Sequence, residues 1–296
     1  MYTLCIVGIL GNLIIIAANF RKWKTLNSFL IGDKILSSLA TSRSLHICVI
    51  YVGYISPLYN TWVSKDLYAM SSILVLTTFL HSTNLWFATV LCVFYCVKIT
   101  SYSWKFFIFL KTKISTLVPW FLLTSLLMSV LFSLPLGWIF KKIEIQHLTN
   151  ASSEDFPLTK SVKYEKSRNM LLLFLTGSGP PFLLFVAAIT LLLHSLWMHI
   201  RRMRSSGSGV ECPNLEIHFS AVKSMSLFLV LQTMYLLSKT MYFAGTVEER
   251  TYEFWITAIL TCSPPTVHSL YIISSNRDLR NSCISMFHVF TCSAQG

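Results

Sequence analysis

The chain lacks the residue patterns on which most enzymes depend. It has no His-Glu-x-x-His metal motif, no Gly-x-Ser-x-Gly nucleophile motif and no glycine-rich phosphate loop. Acidic residues number only 12 of 296, and they lie between the apolar stretches or at their ends. A pair of intramembrane carboxylates, which an intramembrane protease or a proton-coupled transporter would need, is therefore missing. The sequence indicates no catalytic site, no metal site and no cofactor.

Charged residues of either sign are few, which is typical of a membrane protein. They make up 12% of the sequence, against about a quarter in soluble domains, while 54% of residues are hydrophobic. About 20 apolar residues cross the hydrocarbon core as a helix, because unpaired backbone groups are costly in lipid. Seven stretches are long enough, at residues 1–19, 29–56, 67–97, 114–140, 170–200, 219–244 and 254–274. The sequence predicts an all-α membrane protein: one seven-transmembrane helix bundle over residues 1–296, with a short cytoplasmic tail at 275–296.

The basic residues predict how the bundle is oriented. The net charge is +12, and basic residues cluster after spans one, five and seven, as at Arg21, Arg201 and Arg277. Short cytoplasmic loops carry such an excess, so the N-terminus is predicted outside the plasma membrane and the C-terminus in the cytoplasm. The sequon at Asn150 then lies in an outer loop and predicts glycosylation there. Basic residues beside span ends indicate a lipid bilayer as partner, and not a nucleic acid.

Cysteine is absent from every predicted outer loop. The start of the third span carries Met70 and Ser71, and no thiol. A disulfide between an outer loop and this span, which is common in rhodopsin-like receptors, is therefore excluded. Cys92 and Cys96, one turn apart in span three, are predicted to be packing residues because no further ligands complete a metal site.

Asn12 and Arg43 are predicted to form a structural pair inside the bundle. An ionisable side chain at bilayer depth costs at least about 2.5 kcal/mol, so Arg43 has to find acceptors such as Asn12, Ser42 and backbone carbonyls. We favour a structural clamp over a direct ligand contact, and such a clamp can also switch between two arrangements. His268 in span seven is predicted to hydrogen-bond in the core. Two prolines that leave backbone carbonyls free are the predicted flexing points: Pro181 and Pro265.

A second group of polar and aromatic residues lies in the half of the bundle predicted to face outside. His81 and Lys239 are its ionisable members, and Thr77, Tyr235 and Tyr242 are neighbours. Helix bundles often bind small molecules in mostly apolar clefts that contain a few polar groups. These residues form the predicted ligand site. The alternative is ordinary packing, with the tyrosines in an interfacial belt.

Short motifs in six of the seven spans resemble the type 2 (bitter) taste receptors, a G-protein-coupled family. The motifs are Gly-Ile-Leu-Gly-Asn (8–12), Asp-Lys-Ile-Leu (33–36), Leu-Ala-Thr-Ser-Arg (39–43), Trp-Phe-Ala-Thr (86–89), Phe-Tyr-Cys-Val-Lys-Ile (94–99), Ser-Leu-Trp-Met-His (195–199), His-Phe-Ser-Ala-Val-Lys (218–223) and Pro-Thr-Val-His-Ser (265–269). Rhodopsin-like receptors fit less well, because Asp-Arg-Tyr, Cys-Trp-x-Pro and Asn-Pro-x-x-Tyr are all missing. Vomeronasal type 1 receptors, the nearest rival, usually carry the loop disulfide that is excluded here.

The resemblance implies a receptor, and not an enzyme, that binds small, largely apolar bitter compounds in the outer half of the bundle. It also implies activation of a gustducin-like heterotrimeric G protein. Alignment with the family adds Ala258 to the predicted ligand site. It places the G-protein-facing surface at the inner helix ends, with Tyr95, Lys98, His199, Arg202 and Lys223. The alternatives are a vomeronasal-type pheromone receptor and, in another class, a small-molecule transporter or channel. Oligomer formation is left open.

Overall fold

The protein is a bundle of α-helices. The structure, a computed structural model, describes residues 2–28, 30–59, 66–99, 105–150, 156–205, 213–245 and 251–293. All regular elements within these ranges are helical. In chain order they are α1 (Tyr2–Leu26), α2 (Ile31–Tyr59), α3 (Leu67–Ile99), α4 (Lys105–Asn150), α5 (Phe156–Ser205), α6 (Pro213–Phe243), α7 (Tyr252–Ser275) and α8 (Arg277–Ser293).

Seven of these helices, α1 to α7, are long and apolar enough to cross a membrane, in agreement with the predicted number of spans. Helix α3 is the central one, because 83% of its apolar window is buried, against 22% for α4. It packs against α2, α4 and α5. Large apolar side chains such as Trp138 and Leu183 stay exposed on the periphery, as expected where lipid tails surround the protein.

Helices α4 and α5 are longer than the spans predicted for them. They contain 46 and 50 residues, and both extend into the connecting segment at 141–169. Hydropathy detects only the part of a helix that is apolar enough for lipid. The backbone hydrogen bonds of the same helix continue beyond that boundary.

Contacts between neighbouring helices show that α3 and α4 run in opposite directions, and so do α1 and α2. Ser71, near the start of α3, donates a hydrogen bond of 3.2 Å to the carbonyl of Gly137, near the end of α4. Lys22, near the end of α1, forms a 3.1 Å salt bridge with Asp33, near the start of α2. We call the end of the bundle at which α3 and α7 begin the upper end, and the opposite end the lower end.

The predicted cytoplasmic tail contains a helix, α8, that hydropathy does not reveal. The side chain of Asn276 accepts the backbone N–H of Asp278 at 3.0 Å, so it caps the start of this helix. Leu279 is only 3% exposed and packs with Ile272 and Ile273 of α7. Leu279, a buried leucine in the first turn of α8, therefore attaches this helix to the lower end of the bundle.

Candidate functional site

A buried polar network joins α2, α6 and α7 in the middle of the bundle. Arg43 is 1% exposed, and its Nη2 lies 2.6 Å from Nδ1 of His268. Its Nη1 donates to Oγ of Ser269 at 3.4 Å. On α6, Oγ of Ser224 lies 2.9 Å from Nε2 of His268, and the guanidinium lies 5.7 Å from the ring centroid of Phe228. Arg43 therefore has acceptors and an aromatic face at a depth where an unsatisfied charge is costly.

These contacts determine which nitrogen of His268 carries the proton. A guanidinium can only donate, so Nδ1 of His268 accepts from Arg43. The ring proton then lies on Nε2 and is donated to Ser224. In this arrangement the network contains one positive charge, that of Arg43, and a neutral imidazole.

Asn12 is connected to the network indirectly, through the side chain of Ser269. Its amide donates to the carbonyl of Gly8 at 2.8 Å, and its Oδ1 accepts from Oγ of Ser269 at 2.7 Å. Ser269 therefore connects Asn12 with Arg43, where the sequence analysis expected a direct pair. Ser42, which was expected to supply an acceptor, has no hydrogen-bond partner for its Oγ within the described residues. The principal acceptor of Arg43 is His268, which is 225 positions away in sequence.

A side-chain hydroxyl group lies beside each predicted flexing point, Pro181 and Pro265. In α7, Oγ of Ser269 lies 2.7 Å from the carbonyl of Pro265 and equally close to Oδ1 of Asn12, so these two acceptors share its one hydroxyl proton. Between α3 and α5, Oγ1 of Thr89 lies 3.1 Å from the carbonyl of Pro181 and 2.8 Å from the carbonyl of Leu85 in its own helix, so the two carbonyls share its one hydroxyl proton. Because proline has no N–H, the helix is weakened near each site, and these side-chain bonds add local restraint.

Nearer the upper end, three aromatic rings meet at the contact of α3, α5 and α6. The ring of His81 stacks on that of Tyr235, with centroids 4.0 Å apart and an angle of 16°. The ring of Phe174 also stacks with that of His81, with centroids 6.0 Å apart and an angle of 26°. Both His81 and Tyr235 are 3% exposed, and Nε2 of Gln232 lies 3.5 Å from Nε2 of His81. Two predicted ligand residues are thus in direct contact.

The other predicted ligand residues differ in burial and in how closely they are associated with this cluster. Lys239 is 8% exposed, and its ammonium lies 5.4 Å from the ring centroid of Tyr242. Thr77 is half-buried and donates to the carbonyl of Ile73 in its own helix at 2.7 Å. Ala258 is fully buried on α7. The structure therefore groups the α6 residues with His81, while Thr77 makes its hydrogen bond within α3.

His46 is a member of this region that the sequence analysis missed. It is 2% exposed on α2, and its ring centroid lies 6.1 Å from that of His81. Its Nδ1 lies 3.2 Å from the amide nitrogen of Asn84. His46 follows Arg43 by three positions, and this spacing, which puts both on one helix face, was the available signal.

A small cavity lies between the Arg43 network and the aromatic rings. It measures about 20 Å³, which is room for one water-sized group. The polar residues that line it are Arg43, His46, His81, Asn84 and Gln232. Pockets for drug-sized ligands usually measure about 300–1,000 Å³. A larger molecule therefore requires the surrounding side chains to move apart.

At the lower end, three of the predicted G-protein-facing residues have described side chains. Lys98 and Lys223 are exposed, and the ammonium of Lys98 lies 5.9 Å from the ring centroid of Phe94. Tyr95 is partly buried against the cluster of Leu192, Leu196 and Val222. The side chains of His199, Arg202 and Asn150 lie outside the described residues.

The helix arrangement defines a seven-helix bundle of the G-protein-coupled receptor type. It matches the crystal structure of squid rhodopsin with a TM-score of 0.63, covering 98% of this chain and 84% of rhodopsin at 16% identity. At that identity the likeness concerns the fold alone.

Sequence comparison supplies the family. Residues 1–291 match the family model described as "Taste receptor protein (TAS2R)". Mouse taste receptor type 2 member 39 is 31% identical, over 95% of this chain and 88% of its own length. Human taste receptor type 2 member 9 is 30% identical, over 97% and 91%. The chain belongs to the type 2 taste receptor family, as its motifs predicted. It is a multi-pass membrane receptor and not an enzyme, and the family implies small-molecule ligands and G-protein coupling.

Proposed function

We propose that the protein is a plasma-membrane receptor for small, largely apolar bitter compounds, which it binds near the upper end of the bundle. The upper end faces outside and the lower end faces the cytoplasm. Binding activates a gustducin-like heterotrimeric G protein. The observation that carries the proposal is the convergence of His81, Tyr235 and Lys239, from two helices, in one buried aromatic cluster within a taste receptor bundle.

The composition of this cluster supports ligand binding. Phe174, Tyr235 and Phe243 supply apolar surface, and His81, Gln232 and Lys239 supply a few polar groups. That combination is typical of small-molecule sites between helices. The cavity of about 20 Å³ indicates a closed arrangement, so the ligand has to separate the rings as it binds.

Activation follows from differential affinity. A ligand shifts the receptor toward the active arrangement only if it binds that arrangement better than the inactive one. The Arg43 network connects the lining of the cavity to α1, α6 and α7, since Arg43 itself lines the cavity and contacts His268. We propose that ring separation alters this network and moves the lower ends of the helices. The G protein then contacts the predicted surface at these ends, which consists of Tyr95, Lys98, His199, Arg202 and Lys223.

Calcium release in cells that express the receptor with a chimeric gustducin-tailed G protein tests the proposal. We expect dose-dependent responses to some members of a panel of bitter compounds, and no response in mock cells or without the G protein. Silence at confirmed surface expression contradicts the proposal. Responses only to pheromone-like ligands favour the vomeronasal alternative, and uptake or conductance without any G protein favours a transporter or channel.

Variants of His81 locate the binding site. His81→Ala removes the stacked ring, and we expect half-maximal concentrations to rise by roughly threefold to tenfold for some agonists. His81→Phe keeps the ring without its nitrogens and separates stacking from polar contact. Leu237→Ala is a matched control on α6, since Leu237 is 62% exposed on the periphery. If His81→Ala reaches the surface and no agonist changes potency, the site lies elsewhere.

A further inference from the structure

Within the described residues, Arg43 has only neutral hydrogen-bond partners. Its guanidinium is 1% exposed in the middle of the bundle and lies 2.6 Å from Nδ1 of the neutral His268 ring. Its other hydrogen bond, of 3.4 Å, is to the hydroxyl of Ser269. These partners accept its protons, but neither carries a negative charge. Buried charges in proteins are usually paired with an opposite charge, because an isolated ion is very costly to remove from water.

Carboxylates of the described residues do not supply the opposite charge. Among acidic residues with described side chains, none is buried. All of them lie at the starts of helices: Asp33, Asp66, Glu253 and Asp278. Asp33 is paired with Lys22 at the lower end of the bundle. In this part of the chain, the charge of Arg43 is therefore not balanced by the protein itself.

The cavity of about 20 Å³ lies against Arg43 and suits one small ion. Besides Arg43, side chains with N–H donors line it, namely His46, Asn84 and Gln232. The lining, as far as the structure describes it, contains no carboxylate. A bare halide ion is only slightly larger than a water molecule, so the cavity can hold one, whereas a sulfate or an organic acid requires a wider space.

His46 independently indicates an acceptor at this place. The amide of Asn84 donates to Nδ1 of His46 at 3.2 Å, so the proton of the neutral His46 ring lies on Nε2. That Nε2 is buried and has no hydrogen-bond partner among the described residues, while His46 itself is 2% exposed and lines the cavity. A buried donor is costly without an acceptor, and a halide ion in the cavity is one.

We propose that this cavity binds one chloride ion, held by the charge of Arg43 and the Nε2–H of His46. Water would satisfy the donor but would leave the buried charge unbalanced, and a sodium ion would add a second positive charge beside it. Chloride supplies the acceptor and the negative charge together. It also fits the closed arrangement, in which the stacked rings of His81 and Tyr235 form part of the cavity wall.

Thermal unfolding of the purified receptor, measured without any agonist, tests the site. The probe is potassium chloride, exchanged for potassium gluconate at constant ionic strength, because gluconate is too large for the cavity. A ligand of the folded state raises the melting temperature by mass action. For a dissociation constant of about 10 mM, we expect about 150 mM chloride to raise it by roughly 3–6 °C and the rise to level off. An unchanged melting temperature, or a rise that stays linear as general salt effects do, overturns the proposal.

Variants assign the effect to the two proposed ligands. His46→Phe keeps a ring and removes the donor, and we expect it to weaken chloride binding by about tenfold. Arg43→Met removes the charge and should abolish the chloride dependence, whatever its own stability, while Arg43→Lys should retain part of it. Leu237→Ala, at a position 62% exposed on the periphery, should respond to chloride as the unmodified receptor does. An equal chloride response in His46→Phe and the unmodified receptor overturns the assignment.

The chloride site has a consequence for activation, which rests on the proposed receptor function. An ion that binds the closed arrangement better opposes any agonist that opens it, and the effect is reciprocal. In the calcium assay we expect half-maximal agonist concentrations to fall by about threefold when gluconate replaces chloride outside the cells, but not in His46→Phe. Equal potency in both media overturns this opposition. Silence toward every agonist, with chloride-dependent melting intact, overturns the receptor function and leaves the chloride site standing.

Discussion

Replacing His268 by leucine tests whether Arg43 depends on it as its principal acceptor. The distance of 2.6 Å and the burial of both side chains make this the shortest polar contact in the network. His268→Leu removes the acceptor but leaves a fully buried guanidinium. Breaking a buried pair in this way usually costs about 3–5 kcal/mol.

Replacing Arg43 by methionine should cost less. The change keeps much of the side-chain volume and removes the charge that needs compensation. What remains is the Nδ1 of His268 without its donor, an unsatisfied neutral acceptor that costs about 1–3 kcal/mol. We therefore expect Arg43→Met to be the milder substitution, although arginine is the charged partner.

The double variant, Arg43→Met with His268→Leu, tests the coupling between the two side chains most directly. With both partners apolar, neither the buried charge of Arg43 nor the orphaned Nδ1 of His268 is left, so Arg43→Met should partly rescue His268→Leu. Thermal unfolding of the purified receptor in detergent, together with the fraction at the cell surface, measures all three variants. Leu270→Ala, a periphery change on the same helix, should stay within about 0.5 kcal/mol of the unmodified protein. A double variant less stable than His268→Leu by the full cost of Arg43→Met would refute the reasoning, because additive effects indicate no coupling.

Two further substitutions test contacts that the bundle creates. Thr89→Val keeps the shape of the side chain but removes the hydroxyl shared by the carbonyls of Pro181 and Leu85, and we expect about 1 kcal/mol of lost stability, with Thr89→Ser as the control that keeps a hydroxyl. An unchanged melting temperature in Thr89→Val would show that the bond contributes nothing. Leu279→Ala should detach α8, at a cost of about 2–5 kcal/mol at that contact, and increase amide hydrogen exchange over residues 277–285. The exposed Ile284→Ala is its control on the same helix, and equal exchange in both variants would contradict the role of Leu279.

Much of the fold could be predicted from the sequence, because a membrane helix is stabilised by interactions within one continuous segment. Each span satisfies its own backbone hydrogen bonds, so its presence depends only on enough apolar residues in succession. The seven spans and the family motifs are therefore readable without any knowledge of which helices touch. Apolar composition does not report helix beyond the lipid: α4 and α5 continue past their apolar parts, and α8 packs on α7 through Leu279.

The contacts of the polar residues were decided by the tertiary structure. Sequence identified Arg43 and His81 as buried groups in need of partners, since their cost in lipid does not depend on the neighbours. Which partner each one finds depends on the rotation and tilt of whole helices, which apolar composition does not encode. The bundle places Arg43 on His268, links Asn12 through Ser269, and brings His46 beside His81. The sequence by itself thus determined that these groups need partners, and only the packing of the helices determined which partners they have.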